Sequence, residues 1–146
     1  MSNMKNTLRR GFTAVELIIV ITVMAVVVSV ALPRFMTSQR RANETAAISA
    51  LRTISTANSL YRNRYGTYGS LDQLMSAGLI DSAYNDPRRG YVFQSTGTID
   101  SVLWAVEAAP EQPGTSGDRY FFIDERGSIR VSDGSPADST SNALDL

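Results

Sequence analysis

The sequence has no cysteine and no histidine. Disulfide frameworks, thiolate and imidazole zinc sites, Cys nucleophiles and every triad built on imidazole go with them. It also has no charge excess: 14 Lys+Arg balance 14 Asp+Glu, so the clear basic surplus of a nucleic-acid-binding domain is missing. Its motifs include no Walker loop, dinucleotide fingerprint or metal signature. What remains is 146 residues, 43% hydrophobic and 19% charged, an ordinary composition for about one domain.

The zero net charge hides a segregated chain. Residues 1 to 11 carry Lys5, Arg9 and Arg10 with no acid, and Phe12 to Leu32 follows with Glu16 as its only ionisable side chain. Removing those three basic residues leaves the remainder at −3. As a helix, Phe12 to Leu32 covers about 30 Å, the thickness of a bilayer's hydrocarbon core. Basic leader, apolar stretch and polar remainder together read as a targeting segment. One reading is a secretory signal cut after Ser29-Val30-Ala31, although such apolar regions are normally about 7 to 15 residues long and uncharged. A second is a permanent single-span anchor, which the positive-inside rule cannot orient because Arg34, Arg40 and Arg41 follow the span as closely as the leader precedes it. Neither explains Glu16, since an acid at the centre of a span costs about 2.5 to 3.5 kcal/mol on insertion scales and marks a functional position.

Arg10-Gly11-Phe12-Thr13-Ala14-Val15-Glu16-Leu17, followed by an Ile/Val-rich run to Pro33, resembles the class III prepilin signal of type IV pilins and type II secretion pseudopilins. Ala14-Val15 replaces the commoner Leu-Ile, and Ala25 stands where many members have glycine. The resemblance implies cleavage between Gly11 and Phe12 by a prepilin peptidase, N-methylation of the new terminal Phe12, and a family arrangement in which Glu16 of one subunit meets the Phe12 amine of its neighbour. Physics supports that role, because cleavage creates an α-amino group in an apolar setting and Glu16 is the only nearby side chain able to neutralise it. Pairing makes a buried charge tolerable, so the pair would set the register of helices otherwise free to slide. Within one chain, Glu16 also suits the positive end of the helix dipole, which leaves self-capping as the alternative.

Past the span, Pro33 removes a backbone hydrogen bond, so a kink is expected at about Ala31 to Pro33. Ala47, Leu51, Ile54, Ala57 or Asn58, and Tyr61, with Ala50 alongside, form one stripe of an amphipathic helix. Arg40, Arg41, Asn43, Glu44, Arg52 and Arg62 are assigned to its other faces. Gly66 and Gly69 provide the stop. A helix from about Thr13 to Arg64 would be about 80 Å long, too long for a 146-residue globule to bury. Its first half must therefore lie in a membrane or inside an assembly.

The fold expected is α+β and pilin-like. Five segments follow: a removed leader (1–11), a transmembrane or filament-core half of the helix (12–33), an amphipathic half (34–64), a globular head (65–132) and a flexible tail (133–146). In the head, Ser70 to Ala77 is a short helix capped by Ser70 and stopped by Gly78, burying Leu71, Leu74 and Leu79. Tyr65-Gly-x-Tyr68-x-x-Leu71-x-x-Leu74 resembles the segment after the long helix in many family members, with Gly69 where proline is common. Strands are read at Tyr91 to Ser95, Val102 to Ala108, Tyr120 to Ile123 and Ser128 to Val131, a roughly four-stranded antiparallel sheet laid on the helix stripe. Thr96-Gly97-Thr98 turns the first pair and Asp124-Glu125-Arg126-Gly127 the last. Tyr61, Tyr65, Tyr68, Tyr91, Phe93, Trp104, Tyr120, Phe121 and Phe122 supply core and rim.

The 109–118 loop, Arg88-Arg89 and the acid pair Asp124-Glu125 read first as solvated connections, the loop also as a surface for a neighbouring subunit or ligand. The tail lacks the cysteines that pin this region in many pilins. Some major pseudopilins hold calcium there, which makes Asp133 and Asp138 weak oxygen-ligand candidates; no other cofactor is expected. The function expected is structural, not enzymatic: a type IV pilin that polymerises into a surface filament. Its alternatives are a type II secretion pseudopilin, or a membrane-tethered or secreted binding domain that never polymerises. The resemblance implies a prepilin peptidase, a membrane platform protein and an assembly ATPase as partners. It also implies an inner-membrane location before assembly and the cell surface or periplasm after it.

Overall fold

The computed structural model describes residues 11–84 and 86–144. Helix α1, Ala14–Tyr65, runs unbroken through Pro33, within a residue of the expected ends. The chain divides into two units, one ending at Phe35 and the other running from Met36 to the C-terminus. In the first, the large apolar side chains from Val15 to Leu32 are all exposed. Each would gain about 1.5 to 3 kcal/mol on leaving water, and nothing among the described residues covers them. This stretch is long and apolar enough to cross a membrane.

The second unit packs the rest of α1 against a sheet. β1 (Tyr91–Ser95), β2 (Ala105–Pro110), β3 (Arg119–Asp124), β4 (Ile129–Asp133) and β5 (Asn142–Ala143) follow one another as an antiparallel meander. Ala47, Leu51 and Ile54 of α1 share one apolar core with Tyr91, Phe93, Val106, Ala108, Phe121 and Ile123. The period of two puts those sheet residues on one face. Helix α2 (Leu71–Ser76) closes one side of this core with Leu71 and Leu74. Its cap is reciprocal, as Ser70 accepts from the Gln73 N–H and the Gln73 side chain accepts from the Ser70 N–H at 2.8 Å. A short 3₁₀ turn, Ser82–Tyr84, buries Tyr84.

Three expectations change. The second strand starts at Ala105 instead of Val102, because Asp100 Oδ1 accepts from the Val102 and Leu103 N–H groups at 2.6 and 2.7 Å and folds them into a turn. Glu44 is buried, with 6% of its surface exposed, where a polar outer face was expected. The described part of the tail is also more ordered than its composition suggested. Asn142–Ala143 adds a fifth strand to β4, Ala137 is buried, Leu144 packs on the core, and Arg130 donates to the Ser141 carbonyl at 2.8 Å. Backbone pairing and one turn-forming aspartate hold it with little apolar area. At the β3–β4 hairpin Gly127 adopts φ +73°, as its place in the turn requires.

Candidate functional site

The site suggested by the sequence lies at the start of α1. Lys5, Arg9 and Arg10 of the expected leader lie outside the described residues, and Gly11 and Phe12 are the first two described. Phe12 is exposed (81%). Thr13 ends the non-helical segment and caps α1. Its N–H and its hydroxyl both donate to Glu16 Oε2 at 2.9 Å, and the Glu16 N–H donates to Thr13 Oγ1 at 3.2 Å. This is a capping box, and the Thr-x-x-Glu spacing that makes it is visible in the sequence, although reading Glu16 only as a charge misses it. The consequence is directional. Glu16 is held back along its own helix toward residues 12 and 13, and one of its two oxygens takes both threonine donors. Among the described residues Glu16 makes no ion pair.

Glu44 organises a second polar cluster, in the head. Arg119 grips it through Nε at 2.9 Å and Nη2 at 2.7 Å, both to Glu44 Oε2, while Oε1 accepts from the Asp118 N–H at 3.3 Å. Arg40 reaches Asp118 at 3.3 Å, and Asn43 Nδ2 donates to the Ser116 carbonyl at 2.9 Å. The end of the 109–118 loop is thus held to α1 at Ser116 and Asp118, while Glu111 to Thr115 stay exposed as a solvated connection and Ala109-Pro110 belong to β2. Tyr91 supports the same cluster from below: its hydroxyl donates to the Arg119 carbonyl at 2.8 Å, and burial pushes its phenol well above the ordinary range. Gly117 sits so close to Tyr91 that a Cβ there would fall on the ring. At the far end of the helix Asn58, 1% exposed, clasps Gly69, donating to its carbonyl at 3.1 Å and accepting from its N–H at 2.9 Å. Proline at this position would forfeit the N–H half of that clasp.

The other candidates separate. Asp124 is buried and accepts from the Arg126 N–H at 3.0 Å, so it shapes the hairpin; Glu125 reaches Arg126 at 3.8 Å. Arg88 lies over the Tyr84 ring at 4.8 Å. Asp138 Oδ1 accepts from the N–H and hydroxyl of both Thr140 and Ser141, at 2.7 to 3.2 Å. These bonds, led by the Thr140 hydroxyl, hold its carboxyl below the usual range. Calcium takes about 6 to 8 oxygen ligands. Asp138 Oδ1 serves its own turn, and among the described residues no group of three or more acids gathers with it or with Asp133.

No family profile matches the chain. Over 119 residues it is 26% identical to the type II secretion system core protein G of Pectobacterium carotovorum subsp. carotovorum, a stretch that covers 78% of this chain and 74% of that protein. With the Gly11-Phe12-x-x-x-Glu16 signal and a long N-terminal helix leading into an antiparallel sheet, the chain is similar to members of the type IV pilin and type II secretion pseudopilin family.

Proposed function

We propose that the chain is a structural subunit of a helical filament and, given the relative it matches, a pseudopilin of a type II secretion system; the surface-pilus role is the second reading. The observation that carries this is the apolar half of α1. Its side chains are exposed along the whole length, with one acid set a single turn inside. In the membrane that face meets lipid, and in a filament it meets copies of itself through Val, Ile and Ala packing.

The chemistry at the start of the helix follows from the capping box. Cleavage between Gly11 and Phe12 frees an amine beside the cap, and methylation at Phe12 leaves that amine cationic. Glu16 Oε2 stays with Thr13, while Oε1, which has no partner among the described residues, faces a neighbour's amine. The attraction between a buried acid and amine offsets their desolvation only when both arrive together, so a helix docked out of register is penalised. The implied partners are a prepilin peptidase, a membrane platform protein and an assembly ATPase, with the inner membrane as the location before assembly.

A strain lacking the gene distinguishes the two filament readings. Exported enzymes retained in the periplasm, with surface pili unchanged, support the secretion role. Normal secretion with loss of the shearable surface fraction supports the pilus role. A Glu16→Gln variant is expected to be cleaved yet to assemble poorly, and wild-type assembly by that variant would remove the register function.

A further inference from the structure

Among the described residues Arg89 is the one residue other than glycine with a left-handed backbone, at φ 49°. Its turn demands that conformation. The Arg88 N–H donates to the Tyr91 carbonyl at 2.8 Å and the Tyr91 N–H to the Arg88 carbonyl at 3.1 Å, closing a two-residue loop in which Gly90 follows at φ 74°. Asn-Gly or Asp-Gly ordinarily fills such a loop, because a longer side chain is strained there. An arginine at this place lowers stability, which points to work for its guanidinium. Its neighbour is preorganised too: the Arg88 guanidinium lies 4.8 Å over the ring of Tyr84, which is buried with its edge against Phe93.

Both arginines line a cleft of about 200 Å³ at the β1 edge of the sheet, with Tyr84 and Phe93 on one side and Ser49 and Thr53 of α1 on the other. No acid lines this cleft. Among the described residues neither Arg88 nor Arg89 makes an ion pair, even with nearby Asp86. Two fixed guanidinium groups without a counter-charge suit a carboxylate or a phosphate. The head itself is rich in the first, since residues 65–146 carry twelve acids against five arginines, two of which are Arg88 and Arg89. A phosphate polymer docking on the same head would face that acid excess, whereas a second copy brings its own carboxylates to the basic cleft.

Strand register singles out Asp133 among those acids. Arg88 faces Tyr91, Tyr91 faces Pro110, Ala108 faces Phe121 and Arg119 faces Asp133, so Arg88 and Asp133 lie at the same end of the strands on opposite edges. Four strand spacings of about 4.8 Å separate them by about 19 Å, too far to pair within one chain. β5 pairs only with Arg130 and Val131, which leaves the Asp133 end of β4 as an edge. Asp133 is exposed and makes no ion pair among the described residues, while Arg40 and Arg119 beside it are taken by Asp118 and Glu44. Two heads set edge to edge bring the cleft of one against this carboxylate with no shift along the strands. We infer that the Arg88–Arg89 cleft is a carboxylate site and that Asp133 of a second copy fills it. This rests on the filament reading and extends it to the heads, because a contact between different edges of one body is heterologous and repeats along an open assembly.

A charge swap in the full-length chain, expressed in cells, tests the contact. Arg89→Glu and Asp133→Arg should each cut filament yield about tenfold, and the double variant should recover to within about threefold of wild type. Arg89→Gly should raise the melting temperature by about 2 to 4 °C as the left-handed strain is relieved, yet still cut the yield, a divergence that a purely structural turn residue would not show. Arg41→Ala removes the other arginine beside Asp133 and should leave the yield unchanged. Single variants that assemble at the wild-type yield, or a double variant no better than either single, overturn the contact and leave the filament reading standing. Binding to DNA or to anionic vesicles that falls with Arg89→Glu while assembly is unmoved also overturns it. Absence of filaments from wild-type cells removes both.

Discussion

Replacing Glu44 with alanine probes the joint between helix and sheet. Deleting one partner of a buried ion pair costs about 3 to 5 kcal/mol, because the other charge is stranded. Here the Arg119 side chain keeps 39% of its surface in water and can rehydrate, which lowers the figure to about 2 to 3 kcal/mol. The Asp118 N–H also loses its acceptor, a long bond at 3.3 Å that adds about 1 kcal/mol or less. The single tryptophan, Trp104, is buried in the head against Tyr68 and reports the loss by fluorescence. In urea, with a slope of about 1 to 3 kcal/mol/M for small domains, the midpoint of the full chain in detergent should fall by at least about 0.7 M. Glu44→Gln, which keeps the shape and part of the bonding, should fall about half as far. In an Arg119→Ala background the same alanine substitution should cost about 1 kcal/mol or less, since the stranded charge is gone. An equal loss in both backgrounds, or a midpoint unmoved by Glu44→Ala, would refute the joint as described.

Asn58→Ala breaks both halves of the Gly69 clasp and leaves two buried backbone groups unpaired, so a loss of about 2 to 4 kcal/mol is expected in the same urea assay. The pH dependence has a defined sign. Asp100 and Asp138 are held below their ordinary values by hydrogen bonds within their turns, led by the Leu103 N–H for Asp100. They therefore add stability above about pH 4, and it is lost as pH falls through their lower folded values. Asn at either position should flatten the acid limb of a melting-temperature profile. Glu107 has the opposite sign, since burial raises its carboxyl, and Glu107→Gln should stabilise the head at neutral pH. Because Asp138 already caps its own turn, adding a chelator should leave the melting temperature unchanged, and a clear drop would assign calcium to the tail.

The helix boundaries were legible because the apolar run and the Ala47 to Tyr61 stripe are long periodic signals with glycine stops. The β3–β4 hairpin was legible from its Asp124 to Gly127 turn, whereas the β1–β2 connection runs from Thr96 to Trp104, longer than the Thr96-Gly97-Thr98 turn expected. Glu44 was misplaced because its periodicity is that of the stripe but its polarity is not. Arg119 and the Asp118 N–H, 75 and 74 residues away, make its burial tolerable, and a one-dimensional reading sees no such partners. Val102 and Leu103 look like strand residues until the Asp100 carboxylate captures their N–H groups. The tail looked unstructured because it is held by backbone pairing and the Asp138 turn, which leave little hydrophobic trace. At the start of α1 the acid was legible, whereas its threonine partner was hidden behind the larger question of charge.

Mass spectrometry of the mature protein from its native membrane decides whether the chain enters this pathway. The expected mass is that of residues 12 to 146 with one added methyl, and fragmentation should place that methyl on the amine of Phe12. A chain that retains Met1 would make it a simple anchored protein, and one beginning at Leu32 would make it a secreted domain; either would remove the filament role.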